Sequence, residues 1–234
     1  MYKRVLLKLS GEQLAGQYDS GIDAEFAAWL AKEIGAVVAN GTQVVIMVGG
    51  GNYARGAQLA GHGIGRVTAD NIGMLATIMN AVAVADVFNA ASVEARALST
   101  VKIDQVADQF THRRAMSDLE KGNVVVVAGG IGRPYLTTDT AALSLALELD
   151  CDVVFKATKV DGVYSKDPTK FKDAKHLETI SFQQAVENGD IKVMDKAALG
   201  LAMEYQLPII VFNAMEAGNI AKAVSGELIG TKIG

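Results

Sequence analysis

Three consecutive glycines, Gly49-Gly50-Gly51, follow the apolar run 45–48 and lead into Asn52 and Arg55. Glycine has no Cβ and tolerates positive φ, so such a run lets successive backbone N–H groups turn toward an anion and approach it closely. A helix starting near Asn52 would add its unsatisfied N–H groups and the positive end of its dipole. Arg55, one turn in, would add a forked donor. The chemistry that fits is phosphate binding; a strand-to-helix turn with no ligand is the plainer alternative. Lys8 closes a second apolar run, residues 5–7, just before Ser10-Gly11. Ligands gather at the carboxyl ends of strands in open parallel sheets, so Lys8 is a candidate for a phosphoryl group. Alone, it would read as a surface lysine that snorkels.

A second glycine-rich stretch, Gly129-Gly130-Ile131-Gly132-Arg133-Pro134-Tyr135-Leu136-Thr137-Thr138-Asp139, leaves the run 124–128. Any one of Thr137, Thr138 and Asp139 would serve as a helix cap, but the whole loop reads as a second ligand-facing turn. Asp70, early in an apolar helix, either satisfies the helix dipole or accepts hydrogen bonds from ribose hydroxyls. Tyr164, between the turn signals Asp161-Gly162 and Asp167-Pro168, offers an aromatic surface to a base.

The elements that must position these groups follow from periodicity. Strands are expected over 3–10, 43–48, 124–128, 153–156 and 208–212, the last taken as the final strand, with short segments at 93–98 and 106–110. A helix capped by Asp23 carries Phe26, Trp29, Leu30, Ile34, Val37 and Val38 at helical spacing. Further helices are expected over 68–91, 111–121, 140–149, 181–188 and 195–206, with a short one after Asn213, and residues 13–21 read as a polar hairpin or loop. Strand–helix–strand spacing predicts a mainly parallel sheet covered on both faces. The long helix is apolar on most faces, which predicts burial against a partner subunit as well as the core.

Composition narrows the function. The 234 residues carry a net charge of −4, which is unlike a general nucleic-acid binder. Cys151 is the only cysteine, so no intrachain disulfide or cysteine metal site is possible, and a reducing compartment fits. His62, His112 and His176 show no ligand spacing. The N-terminal apolar run is too short for a signal peptide. Thr77, Asn80, Asp86 and Asn89 interrupt the apolar helix, which therefore reads as buried rather than membrane-spanning. A cytoplasmic protein without nucleic-acid or membrane partners is expected. Neither G-x-x-x-x-G-K-[ST] nor G-x-G-x-x-G occurs, so the usual nucleotide folds are disfavoured.

Set in order, Lys8-Leu9-Ser10-Gly11, Gly49-Gly50-Gly51-Asn52, Thr137-Thr138-Asp139 and Ala157-Thr158-Lys159-Val160-Asp161-Gly162-Val163-Tyr164 resemble the amino-acid kinase superfamily, and within it the bacterial uridylate kinases. Lys192-Val193-Met194-Asp195 and Val211-Phe212-Asn213 extend the likeness along the chain. The resemblance implies a single three-layer α/β/α sandwich over 1–234 with a mainly parallel central sheet, assembled as a homohexamer. It implies transfer of the γ-phosphoryl of ATP to UMP, with Mg²⁺ held mainly by phosphates and water and no dedicated metal ligands. By family pattern Lys8, Arg55 and Asp139 are catalytic. ATP would meet Lys8, Leu9, Ser10, Gly11, Gly51, Arg55, Thr158, Tyr164 and Asp167. UMP would meet Gly50, Asp70, Ile131, Gly132, Arg133, Pro134, Tyr135, Leu136, Thr137 and Thr138. The loop departs from the family's GTGNPFFTTD at Ile131, in place of threonine, and Arg133, in place of asparagine. Superfamily kinases with a carboxylate, carbamate or isoprenoid phosphate acceptor, and a non-catalytic hexamer binding nucleotide or oxyanion, are the alternatives.

Overall fold

The computed structural model describes residues 1–54, 59, 63–166, 168, 170–188 and 193–234. Strand β1 (Arg4–Leu9) is apolar on both faces: Val5, Leu7 and Leu9 enter one core cluster and Leu6 the other. Such a strand belongs inside a sheet covered on both sides. Helix α1 (Gly11–Leu14) follows at once under a capping box from Ser10 and Gln13, where the sequence suggested only a loop. Helix α2 (Ala24–Ala39) starts as expected, the Asp23 side chain accepting from the Glu25 and Phe26 amides, and returns the chain to β2 (Gln43–Val48), which pairs parallel to β1.

Beyond these lie α3 (Arg66–Ala90), β3 (Ala95–Ser99), β4 (Asp108–Gln109), α4 (His112–Glu120), β5 (Val124–Ala128), α5 (Thr138–Glu148) and β6 (Val153–Thr158). The hairpin strands β7 (Val163–Tyr164) and β8 (His176–Leu177), then β9 (Thr179–Ile180), α6 (Phe182–Glu187), α7 (Lys196–Tyr205), β10 (Ile209–Asn213), α8 (Asn219–Ser225) and β11 (Thr231–Ile233) complete the described chain. Nine strands form one sheet in the order β4-β3-β5-β2-β1-β6-β10-β11-β9. Its pairs are parallel except β10 with β11. Residues 208–212 therefore do not hold the last strand; β11, three residues long, is too short to display a period of two.

Helices α2, α3 and α8 cover one face around Leu30, Phe88 and Ile220. Helices α4 to α7 cover the other around Leu119, Leu143, Phe182 and Leu199. The long apolar helix α3 buries Ile78, Ala81, Val84 and Phe88 in the first of these cores. The chain runs outward from β1 through β2, then crosses to its other side at β6. The carboxyl ends of β1, β2, β5 and β6 thus border the crevice where strand order reverses, the usual ligand position in an open α/β sheet.

Candidate active site

Lys8 ends β1 and Lys156 lies near the end of β6, and the parallel register places them directly side by side. Both side chains point to the α5 face, where the first turn of α5 presents Asp139. Lys8 Nζ lies 2.7 Å from Asp139 Oδ1 and Lys156 Nζ 2.9 Å from Oδ2. The Lys8 contact is an ion pair outside hydrogen-bond alignment, so Oδ1 keeps directional capacity for another donor. Lys156 also donates to the Val193 carbonyl. Burial pushes the Asp139 carboxyl up, but the Lys8 and Lys156 ammoniums outweigh it and hold the group below its usual range. Burial, with Lys8 adding to it, leaves the Lys156 ammonium below the ordinary lysine range despite Asp139. Two cations share one carboxylate in direct contact, with the Asp195 carboxylate also acting on Lys156, and two mostly buried ammoniums side by side suit an anion. Lys8 is therefore not a snorkelling surface lysine. Lys156 was missed in the sequence; its signal was the same as that of Lys8, a lysine terminating an apolar strand.

The two glycine loops flank this centre and hang from α3. Asn80, fully buried, donates to the Gly49 carbonyl at 2.7 Å and exchanges amide hydrogen bonds with Asn52 at 2.7 and 2.9 Å. One turn back, Thr77 Oγ1 accepts from the Gly129 amide at 2.7 Å. These polar interruptions of an apolar helix are the brackets of both loops.

Of the two reasons the sequence offered for the first loop's glycines, close approach applies at Gly50 and positive φ at none of Gly49, Gly50 and Gly51. A Cβ on Gly50 would lie 2.8 Å from both Ala76 Cβ and the Gly73 carbonyl, and one on Gly11 2.6 Å from the Gly51 amide. Positive φ falls instead in the second loop, at Gly129 (83°), Gly130 (58°) and Gly132 (72°). Residues 51–53 form a turn in which the Tyr53 and Ala54 amides donate to the Gly50 carbonyl at 3.1 and 3.0 Å. The Asn52 side chain is engaged with Asn80 and the Gly21 carbonyl, and the stretch in which the expected helix would run lies mostly outside the described residues. Arg55 and Asp167, both expected in the site, and Lys192 lie outside the described residues.

A cleft of about 210 Å³ opens between the loops, lined by Gly50, Gly51, Arg66, Asp70, Thr77, Ile131, Arg133, Leu136, Thr137 and Thr138 among others. Eight of these are expected site residues, brought together from three parts of the chain. Asp70 lies beyond the first turn of α3. Its carboxylate receives Arg66 Nε at 2.9 and 2.8 Å and the Tyr135 amide at 2.8 Å. Burial raises its pKa, but the Tyr135 amide and Arg66 prevail and hold it low. Arg66 also lies over the Tyr135 ring, 5.2 Å from its centre. Asp70 is thus the anchor of the second loop, which its sequence position did not reveal. Gly132 and Pro134 complete that loop.

Thr137 caps α5 through the Asp139 and Thr140 amides and donates its own hydroxyl to Asp195, which also accepts from Thr140 at 2.9 Å. Asp195 caps α7 through the Ala198 amide at 3.0 Å. One carboxylate thus ties the start of α5 to the start of α7, giving a structural role to Asp195 that the sequence left open.

The residues expected on the ATP side are less free. Leu9 is fully buried and offers its surroundings only backbone, its carbonyl accepting from Gly49. Ser10 is engaged in the cap of α1. The Thr158 hydroxyl faces the Val160 and Phe212 carbonyls at 2.6 and 2.9 Å. Tyr164, on the hairpin, donates to Asp161 at 2.6 Å and meets His176 edge-on. Gly51 shares a polar cavity with Glu12, Tyr53 and Lys159.

A largely parallel sheet with paired lysines at its switch point and glycine loops beside them defines a kinase of the amino acid kinase class. The pattern of the amino acid kinase family matches residues 3–213, and the chain belongs to that family. It is similar to the UMP kinase of Bacillus anthracis, at 39% identity and TM-score 0.94 over 99% of this chain and 96% of that one. The UMP kinase of Ureaplasma parvum is 31% identical with TM-score 0.91, covering 100% and 99%. The uridylate kinase of Archaeoglobus fulgidus is 30% identical with TM-score 0.74, covering 98% and 99%.

Proposed function

We propose that this protein is a UMP kinase. It transfers the γ-phosphoryl of ATP to the phosphate of UMP, so that one P–O bond to the β-phosphate breaks, one to UMP forms, and UDP and ADP leave. What carries this reading is the buried Lys8–Asp139–Lys156 centre. Phosphoryl transfer depends on in-line positioning and charge neutralisation more than on covalent help. The two ammoniums neutralise the transferring group, and Asp139 holds them apart in register. The second pKa of a phosphate monoester is about 6, so the acceptor oxygen is anionic at neutral pH and no general base is needed.

The acceptor occupies the cleft of Gly50, Asp70 and the 131–138 loop. The donor lies over Lys8 to Gly11 and Gly51, with Arg55, Thr158, Tyr164 and Asp167 around it. Thr158 and Tyr164 act there through the segments their hydroxyls hold in place. Both Asp139 oxygens face lysines, so the centre suits Mg²⁺ carried mainly by phosphate oxygens and water, which adds charge neutralisation when bound. The nine-stranded sheet, with strands from Arg4 to Ile233, supports one catalytic domain over 1–234. Leu75, Met79 and Val106, each about half exposed beside an apolar groove on α3, support self-association, and we assign a homohexamer. Net charge −4 and burial of α3 in the core agree with a cytoplasmic protein that engages neither nucleic acid nor membrane.

ADP release from ATP and Mg²⁺ with UMP, CMP, dUMP, AMP and GMP in parallel tests the assignment. Strong preference for UMP is expected. Activity with none, together with turnover of a carboxylate or carbamate acceptor, would refute it.

A further inference from the structure

Among the described residues, the acceptor cleft carries two guanidinium groups of unequal freedom. Arg66 is committed to both oxygens of Asp70 and to the Tyr135 ring. Arg133 lines the same cleft and is exposed, and among the described residues it makes no hydrogen bond or ion pair. Ile131, two residues earlier, has no polar side-chain group and packs partly buried against the α4–α5 side of the core. Asp70, the one carboxylate among the described lining residues, is already met by Arg66 and the Tyr135 amide. The free side-chain capacity at this end of the cleft is thus donor capacity, since a guanidinium cannot accept.

Loop order shows which part of an acceptor Arg133 meets. Thr138 adjoins Asp139 at the phosphoryl centre. The Tyr135 amide is pinned to Asp70 on α3, and Arg133 lies two residues further back along the loop, in the lining of the same cleft. A nucleoside monophosphate with its phosphate at Asp139 therefore turns its base toward Arg133.

We infer that Arg133 reads the base, donating to the carbonyl oxygen at position 4 of a pyrimidine while Ile131 lies against the ring, and so selects a 4-oxo over a 4-amino acceptor. This rests on the uridylate reading above. A 4-amino group would face donor to donor, leaving both unpaired in a narrow cleft. Sites built to hydrogen-bond one group reject an analogue that lacks it far better than apolar pockets reject a methylene.

The test pairs a protein change with a substrate change. Arg133→Met keeps the stem and removes every donor. The pyrimidin-2-one ribonucleoside monophosphate keeps the UMP skeleton and lacks the 4-oxygen. Wild-type kcat/KM for UMP should exceed that for the analogue by about ten- to a hundred-fold, the range of a hydrogen bond to a charged group. The variant should lose this advantage, bringing the two substrates together, and its preference for UMP over CMP should fall by a similar factor. Non-additivity of this kind isolates the single contact. Equal losses on UMP and the analogue would place Arg133 on the phosphate and overturn the inference, as would no loss or a larger loss on CMP. The wild-type arm separates the two claims: no turnover of UMP overturns the uridylate assignment itself, whereas UMP turnover with equal losses overturns only the role of Arg133.

Discussion

Asp139→Asn removes one negative charge from between two buried ammoniums and changes little else. The Lys8, Asp139 and Lys156 side chains are 10%, 13% and 17% exposed, so water screens the loss only in part. Removing one partner of a buried ion pair costs about 3–5 kcal/mol. The slight exposure places this variant near the lower end, at about 3 kcal/mol. Its penalty should depend on pH. Asp139 raises the Lys156 pKa, while burial and Lys8 lower it, so the variant's Lys156 deprotonates at lower pH than the wild type's. Between its folded and unfolded pKa values a lysine so depressed holds fewer protons folded than unfolded, and stability rises with pH there. The variant should therefore recover part of its loss as pH rises toward the unfolded lysine value of about 10.4. Asp139 has the opposite consequence in wild type. Its folded pKa is depressed, so its contribution is complete above the unfolded value of about 3.9 and is lost as pH falls through the folded one. Urea unfolding at fixed protein concentration, compared at equal m, measures both effects. Asp139→Asn with Lys156→Met should be more stable than Asp139→Asn alone, because one uncompensated ammonium is gone. A single variant within about 1 kcal/mol of wild type, against the range for buried pairs, or a double variant less stable than the single, would refute the electrostatic account. Turnover of Asp139→Asn should fall by about 10²–10³-fold, the scale for losing one preorganised charge-stabilising group.

Asn80→Ala leaves the Gly49 carbonyl and the Asn52 amide without their buried partner; a melting experiment should show a loss of about 2–3 kcal/mol and KM for ATP should rise. Gly50→Ala forces a Cβ to 2.8 Å from Ala76 Cβ and the Gly73 carbonyl, whereas at Gly51 the nearest neighbour is Glu12 Oε1 at 3.5 Å. Circular-dichroism melts should therefore show Gly50→Ala clearly destabilised and Gly51→Ala near wild type. Burial pushes the Cys151 thiol up to about 12, so a thiol-specific reagent at pH 8 should label the protein only on unfolding; rapid labelling of the folded chain would contradict the placement of Cys151.

Much of the site was legible because its groups interrupt strong local patterns. Lys8 follows an apolar run where the run gives way to a turn, so that it faces a strand edge, and Asp139 opens a helix directly after a glycine-rich loop. Lys156 has the same signature and passed as the end of an ordinary strand, because nothing local says that β6 lies beside β1. Asn80 and Thr77 were legible only as reasons why α3 does not cross a membrane. Their partners, Asn52, Gly49 and Gly129, belong to loops distant in sequence. Asp70 read as a charge at a helix start, and its contacts with Arg66 and the Tyr135 amide emerge only when the second loop folds back over α3. Strand β11 escaped because antiparallel pairing with β10, not alternation, makes it a strand.

From the sequence alone came the kinds of groups present and their local setting: glycines after apolar strands, a lysine at a strand end, a threonine pair and an aspartate at a helix start, and one cysteine. These are properties of near neighbours, governed by backbone stereochemistry and side-chain period. The tertiary structure decided which groups meet. Sheet order and parallel register set Lys8 beside Lys156, and packing of α5 against that face brought Asp139 between them. Periodicity says which face a residue occupies and nothing about which strand lies next to it. Two lysines sharing one carboxylate in a nearly buried centre exist only after that choice is made.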